Sequence, residues 1–540
     1  MASPGVKPDH KVAVQNDFLV EGGDVESGVQ NPLKRGLQSR HMQMIAIGGA
    51  IGAGLFVGSG KALATGGPAS LIICYAIVGV MLLFTCQALA ELAVLYPVNG
   101  AFFTYTVRFV DPSWGFATGW DYVLTWLTVL PFELVAAGIT IEFWRTDINM
   151  SVWITLFLVV LVGIQFFGVR GYGEVEFILS IIKITACVAF IILGVVIDCG
   201  GTGDQGYIGA KYWKDPGAFR NGFKGFAGVF VVAAFSFGGT ELVGLAAAES
   251  ENPRKSIPKA SKQVFWRIAF FYIVNLFIVG LIVPYDNGRL ISGTSGIDAK
   301  ASPFVIAIEA AGIKVLPHII NGVITIAVIS VANSATFASS RTMQALAAQG
   351  MGPKFLAYVD KSGRPLWSIV VQLAMGLVAY VAVAGKEQAL AAFTWLLALG
   401  GASYFFVWAT VCLTHIRFRY VWKAQGNSLD DIPYKPALGI LGSYIGLALN
   451  TLALLATMYT SAYDGENLSA KTWFETCLAV VVVAVLYIGH KIFTKDWRLY
   501  IPANEVDLSG ARILLKLEDE EETPPKTWRN LPRRIMGALF

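Results

Sequence analysis

The chain has 540 residues, of which 55% are hydrophobic and only 14% are charged, and its mean hydropathy is +0.59. Soluble proteins carry about 25% charged residues, so this composition excludes a soluble globular domain and points to a polytopic membrane protein. A net charge of +4 over such a length, with no basic run interleaved with aromatics, argues against a nucleic-acid partner.

Residues 1–40 are polar and lack apolar periodicity, so they read as a disordered tail and not as a cleavable signal peptide. About twelve apolar segments follow, each near the ~20 residues a bilayer requires. Their cores lie at 44–64, 71–93, 118–143, 152–169, 175–197 and 225–248, then at 267–285, 317–340, 367–385, 391–414, 442–461 and 474–493. We number them spans 1 to 12. The expected fold class is an all-α membrane protein with a transmembrane unit over 41–495, a tail at 1–40 and a second tail at 496–540. Residues 518–522 of that tail form the acidic run Glu518-Asp519-Glu520-Glu521-Glu522, which reads as solvated.

Lys and Arg set the orientation. Lys34, Arg35 and Arg40 precede span 1. Arg254, Lys255, Lys259, Lys262 and Arg267 follow span 6. Arg341, Lys354, Lys361 and Arg364 follow span 8, and Arg417, Arg419, Lys423 and Lys435 follow span 10. With twelve spans these loops share one side with both termini, and that side is expected to be cytosolic. The loop Asp198 to Lys224, with Lys211, Lys214, Arg220 and Lys224, runs against the rule. The sequons Asn149-Met150-Ser151 and Asn467-Leu468-Ser469 fall on the opposite side. Lys7 and Lys11 are candidate ubiquitin acceptors, which would make a ubiquitin ligase a partner of the tails.

Neither metal nor catalysis is expected. The six cysteines are scattered through or near the spans, with Cys199 alone toward an outer loop, and no C-x-x-C or His/Cys cluster occurs among them and the five histidines. No nucleophile–base pair stands out, and no G-x-x-x-x-G-K-[ST] loop signals ATP. No cofactor is implied.

Two glycine-broken stretches carry the functional signal. One is Ile47-Gly48-Gly49-Ala50-Ile51-Gly52-Ala53-Gly54-Leu55-Phe56 in span 1. The other is Phe235-Ser236-Phe237-Gly238-Gly239-Thr240-Glu241-Leu242 in span 6. Each glycine costs an intact helix roughly 1 kcal/mol, and paired discontinuous helices mark a transporter's binding site. Close helix packing alone is the competing reading. A zwitterion would find donors for its carboxylate in the N–H groups of Gly52, Ala53 and Gly54, at the positive end of a half-helix. Its ammonium would find carbonyls near Phe235, Ser236 and Gly238. Phe235 and Phe237 are large enough to close over a ligand.

Ionisable residues inside a span cost about 2.5–3.5 kcal/mol each on insertion scales, so retained ones tend to work. Glu133 lies in mid-span 3, Lys183 in span 5 and Glu241 at the break in span 6, while Glu91 lies near the cytosolic end of span 2. Glu133, Lys183 and Glu241 are the candidates for exchanging a coupled proton. Internal salt bridges that fix packing are the alternative for each.

At these residues the chain resembles fungal amino-acid permeases of the amino acid–polyamine–organocation superfamily, general amino-acid permeases above all. The strings that agree run from Leu37-Gln38-Ser39-Arg40-His41-Met42-Gln43 through Gly239-Thr240-Glu241-Leu242-Val243-Gly244 and Glu251-Asn252-Pro253-Arg254-Lys255 to His415-Ile416-Arg417-Phe418-Arg419. The resemblance implies two inverted five-helix repeats (LeuT-like) plus two peripheral helices. It also implies alternating access and proton symport at the plasma membrane. By position it makes Phe235 a gate and Lys183 a stand-in for the sodium ion of sodium-coupled relatives. Glu133 and Glu241 match carboxylates usual in the branch. The chain departs from the pattern at Ala50 and Ala53, where Thr is frequent, and at Phe337, where Tyr is common. It departs again at Gly400, where Ser or Thr is common and where selectivity is tuned. It ends Ala538-Leu539-Phe540, without the terminal Cys that is often lipidated.

The expected function is therefore proton-coupled import of a broad range of mainly neutral amino acids, with Gly400 leaving room in the pocket. A narrower carrier for acidic, basic or aromatic amino acids is the alternative, favoured if Glu133 or Glu241 faces the side chain. A non-transporting nutrient sensor on the same fold is the reading from another class, and the short tail speaks against it.

Overall fold

Backbone groups in lipid must be bonded within their own segment, which leaves helices as the way for these apolar runs to cross. Helices are what the chain forms. The computed structural model describes residues 33, 35–49, 51–144, 147–202, 206–292, 302–384, 386–464 and 467–508. The expectations made for Lys7, Lys11, Ala50, the acidic run and the chain's last residues lie outside them.

Nine described helices are long and apolar enough to cross a membrane. One of these, Gly54–Leu95, supplies both the second half of span 1 and span 2, because it turns at Gly67 (φ 80°) just before Pro68. Met150–Gln165 is the shorter span 4, and Lys386–Ala424 is span 10. Together they account for all twelve expected segments. The one sheet among the described residues is a ribbon pairing Tyr463–Asp464 with Asn467–Leu468. Two short helices not anticipated from hydropathy, Ala101–Phe109 and Pro303–Ala310, connect spans.

The helix pairings come in two matching sets. Span 1 packs on span 7 as span 6 packs on span 2. Span 1 packs on span 5 as span 6 packs on span 10. Span 3 packs on span 10 as span 8 packs on span 5, and span 3 on span 4 as span 8 on span 9. Shifting every number by five turns one set into the other. Five crossings reverse direction, so the second set is inverted relative to the first. Spans 3 and 8, which exchange under this operation, make the most extensive contact with each other. Spans 11 and 12 pack at the periphery against spans 2, 3 and 10. The fold is thus an all-helical pair of inverted five-helix repeats with two added helices.

The loops sort onto two faces. Arg220 donates to the carbonyls of Ala64 (2.8 Å) and Tyr285 (3.4 Å), and Lys224 to that of Tyr463 (3.1 Å). These tie the ends of spans 1, 7 and 11 to the start of span 6. Two of the four cations of that exceptional loop, Arg220 and Lys224, therefore bond backbone at one end of the bundle. At the opposite end the segment before span 1 pairs with the end of span 6, Leu37 N donating to Glu249 O at 3.0 Å. Residues 496–508, read as the start of a tail, dock there too. Ile501 N donates to Val110 O (2.9 Å), Arg417 to Ile501 O (2.8 Å), and Gln425 to Ala503 O (2.8 Å) and Val506 O (2.6 Å).

Glu91 is fully buried and does not reach an aqueous interface. Arg419 grips it with two bonds (2.9 and 2.5 Å), and His415 Nε2 lies 3.1 Å from the same carboxylate. Bidentate geometry of this kind gives the pair strength and direction. The strings read as family hallmarks around His415 and Arg419 are thus the lock between spans 2 and 10.

Candidate functional site

Span 1 stops at Gly48 and resumes in a π-helical turn at Gly54–Gly58. Leu55 and Phe56 make the first bonds of the new helix, both to Gly52 O at 3.2 Å. The N–H groups of Gly52, Ala53 and Gly54 precede those bonds and donate to no backbone carbonyl among the described residues, so they are the candidate open donors at a half-helix start. Span 6 stops at Phe237. Gly238 turns its carbonyl away from the helix (ψ 141°), Gly239 adopts φ 95°, and the chain re-enters a helix at Leu242. A side chain at φ 95° would be strained, which is why glycine stands at position 239.

The two breaks cross each other. A Cβ on Gly54 would come within 2.6 Å of Ser236 Cα, so only a glycine lets the strands of backbone approach this closely. Gly52, Ala53, Gly54, Glu133, Phe235 and Gly238 surround one small space, together with Trp126, Val129, Val331 and Tyr404. Trp126, Val129 and Glu133 share one face of span 3 at spacings of three and four. That periodicity was available in the sequence, whereas the approach of Val331 and Tyr404 needed the tertiary fold. Gly400 lies beside this space, where an added Cβ would sit 3.7 Å from Thr125 Cγ2 and 3.8 Å from the Phe235 ring. Phe235 in turn packs edge-on against Phe132 at 5.0 Å.

The carbonyls expected to hold an ammonium are not equally open. Ser236 O accepts from Tyr272 Oη (2.7 Å), and Phe235 O accepts from Gly238 N (3.2 Å). Ser236 Oγ is bonded to Tyr75 Oη (2.8 Å) and donates to Val232 O (2.8 Å). The chain therefore ties Ser236 into the scaffold and leaves Gly238 facing the space.

The three span carboxylates and the lysine fall into separate environments. Glu133 borders the space, is buried, and has Oε2 without a hydrogen-bond partner among the described residues. A buried polar atom left unpaired costs about 1–3 kcal/mol, more for a charged group, so something must repay it. Glu241 is outside the ring of ten. Its carboxylate accepts from Tyr122 Oη (3.1 Å), Gly239 N (3.2 Å) and Trp408 Nε1 (3.3 Å), which makes it the internal cap of the span 6 break. Lys183 is fully buried away from the space. Its Nζ bonds Ser330 Oγ of span 8 (2.8 Å) and Glu176 Oε1 (3.1 Å), while Ser330 donates to Glu176 Oε2 (2.6 Å). Ser180, one turn on, also donates to Glu176 (3.2 Å) and lies against Gly48 at the end of the first half of span 1. Glu176 was missed because a carboxylate at the start of a span reads as interfacial. Its spacing of seven from Lys183 is the signal that would have found it.

Phe337 is not in the binding region. It stacks on Tyr172 at 4.3 Å and lies under the Arg341 guanidinium at 4.4 Å, and Arg341 pairs with buried Glu249 (2.9 Å). A hydroxyl missing there is lost from packing, not from the space around Phe235. Among the described residues no group of His, Cys, Asp and Glu is disposed to hold a metal, and Cys199 is the exposed cysteine.

This architecture has solved counterparts. A manganese transporter from Eremococcus coleocola superposes with a TM-score of 0.52 at 14% identity, covering 85% of this chain and 94% of its own. That likeness shows the fold alone. Sequence likeness goes further. A general amino-acid permease of Saccharomyces cerevisiae is 52% identical over 93% of this chain and 85% of its own length. A general amino-acid permease of Candida albicans is 51% identical over 94% and 87%. A cationic amino acid transporter of Schizosaccharomyces pombe is 47% identical over 97% and 89%. The profile of the amino acid permease family matches residues 41–503, from the first half of span 1 to the docked segment beyond span 12, and it is to this family of multi-pass membrane permeases that the chain belongs.

Proposed function

We propose that this permease is a proton-coupled symporter that imports a broad range of mainly neutral L-amino acids across the plasma membrane by alternating access, with both termini in the cytosol. The observation that carries the reading is the convergence of both helix breaks on one space bordered by Glu133. The open N–H groups of Gly52, Ala53 and Gly54 suit a carboxylate, and the Gly238 carbonyl suits an ammonium. Val129, Val331 and Phe235 offer an apolar wall to the side chain. Glu133, whose Oε2 has no hydrogen-bond partner among the described residues, is the group we assign to the coupled proton, and Lys183 serves as the fixed cation that lets spans 5 and 8 hold together without sodium. The lipid bilayer is the solvent for the outer faces of the spans, and a ubiquitin ligase acting on the tails is a further partner in this reading.

The test is uptake of labelled neutral amino acids by a permease-deficient fungal strain expressing the chain, at acid and neutral external pH, with and without a protonophore, against each unlabelled amino acid. Acid-stimulated, protonophore-sensitive uptake blocked by many competitors is expected. Uptake blocked by cationic amino acids alone would favour the second reading, a carrier for basic side chains. Glu133 supports that alternative, since a carboxylate beside the space would also suit a second ammonium.

Two variants sharpen the assignment. Glu133→Gln keeps the shape and removes the titrating group, so uptake is expected to persist at low rate and lose its acid stimulation. Retained stimulation would clear Glu133 of the coupling role. Gly400→Thr places a branched side chain between Thr125 and the Phe235 ring, where a Cβ alone still fits at 3.7–3.8 Å. Large side chains should lose about tenfold in competition while Gly and Ala keep their strength, since a misfit of one methylene is worth ~1–3 kcal/mol. An unchanged competition profile would remove Gly400 from the selectivity determinants.

A further inference from the structure

Arg267 is fully buried in span 7, and no carboxylate lies within ion-pair distance of it among the described residues. It begins a π-helical turn, Arg267–Val274, a geometry that recurs at functional sites. Its Nη1 donates to Ala46 O (2.8 Å) in the inner half of span 1, and its Nη2 to Thr240 Oγ1 in the unwound part of span 6. Ala46 lies two residues before the end of its half-helix at Gly48, so the guanidinium meets the negative end of a helix dipole, which stands in for an anion. The Thr240 hydroxyl in turn donates to Phe237 O (2.7 Å). Further along the same π turn, Tyr272 lies 5.7 Å from the guanidinium and donates to Ser236 O (2.7 Å). A single turn of span 7 thus holds backbone or side chain at three points of the two breaks. Beside Thr240 is a second, small space between span 2, the inner half of span 6 and the start of span 7, lined mostly by apolar side chains such as Leu89, Val243, Ile257 and Val264, with Ser261 among them.

We infer that Arg267 is a positioning residue, a clasp that fixes the inner half of span 1 to the span 6 break and so holds the inner side of the permease closed. The bond to Ala46 O must part when that half-helix swings away. The inference rests on the alternating-access reading above. Arginine suits the task because its planar fork serves two acceptors at once, and a lysine ammonium would reach one of them.

The test uses the full-length permease with Cys199→Ser, which removes the exposed native thiol, and a reporter thiol placed by Ala46→Cys, a position that is buried in this structure. Thr240→Val deletes the hydroxyl that Arg267 holds; Thr240→Ser keeps it. Thiol modification is read from the cytosolic face in inside-out vesicles, and KM is read in cells. Weakening the clasp lowers the fraction of molecules able to bind from outside, and apparent affinity falls by that fraction. Thr240→Val, and Arg267→Lys likewise, should raise the modification rate by about fivefold or more and raise KM as the outward-competent fraction falls, and Thr240→Ser should restore both. Normal surface protein with unchanged modification rate and KM overturns the clasp. So does loss of surface protein in Thr240→Val and Arg267→Lys alike, which would make Arg267 a scaffold residue only. The thiol readout does not require transport. Absence of uptake by the unsubstituted chain would therefore count against the proposed function and leave the clasp to be judged by accessibility.

Discussion

Lys183→Ala is expected to abolish amino-acid uptake. The sequence alone suggests that surface protein would be unaffected, and the structure revises that expectation. Lys183 and Glu176 are both fully buried, 3.1 Å apart, and share Ser330. Removing one partner of a buried pair leaves an uncompensated charge and costs about 3–5 kcal/mol, a large share of a typical stability. Surface protein should therefore fall as well. The double variant Lys183→Met with Glu176→Gln removes both charges and separates the two effects. Its surface level should recover while uptake stays absent. Uptake that returns with the double variant would show that the lysine serves packing and not transport.

Gly54→Ala should impair uptake nearly as strongly by a different route. The new Cβ would lie 2.6 Å from Ser236 Cα and 3.1 Å from Ser236 Cβ. Backbone cannot rotate aside as a side chain can, so spans 1 and 6 must separate. Overpacking of this kind costs about 1–3 kcal/mol, which the fold survives. The displacement falls on the N–H groups of Gly52, Ala53 and Gly54, so it should appear in substrate binding. At about 1.4 kcal/mol per tenfold, KM is expected to rise by about fivefold to a hundredfold with normal surface protein. Gly163→Ala in span 4, where nothing lies within 4 Å of the new Cβ, is the matched control and should leave KM unchanged. Equal KM values for the two variants would mean that the crossing of spans 1 and 6 does not shape the binding region.

The fold and the place of the breaks were legible because lipid leaves the backbone so little choice. Composition alone identified a membrane chain, hydropathy located the twelve spans, and the glycines at 52, 54, 238 and 239 identified where two of them come apart. Gly239 needs φ 95°, and Gly54 needs contact with Ser236 at a distance no side chain permits; both demands restrict the residue type, so both leave a mark in the sequence. What each buried charge does left no such mark. Glu133, Glu241 and Lys183 look alike in hydropathy, as ionisable residues in apolar spans. Their roles depend on partners dozens to hundreds of residues away: Tyr122 and Trp408 for Glu241, Ser330 for Lys183, and for Glu133 Oε2 none among the described residues. The same holds for Glu91, which reads as interfacial until Arg419 and His415 close over it, and for Arg267, which reads as one more inner-face cation until its guanidinium is seen between the two breaks. Hydropathy and glycine placement are local constraints written at each position, whereas charge compensation is a pairwise property that exists only once the helices have been brought together.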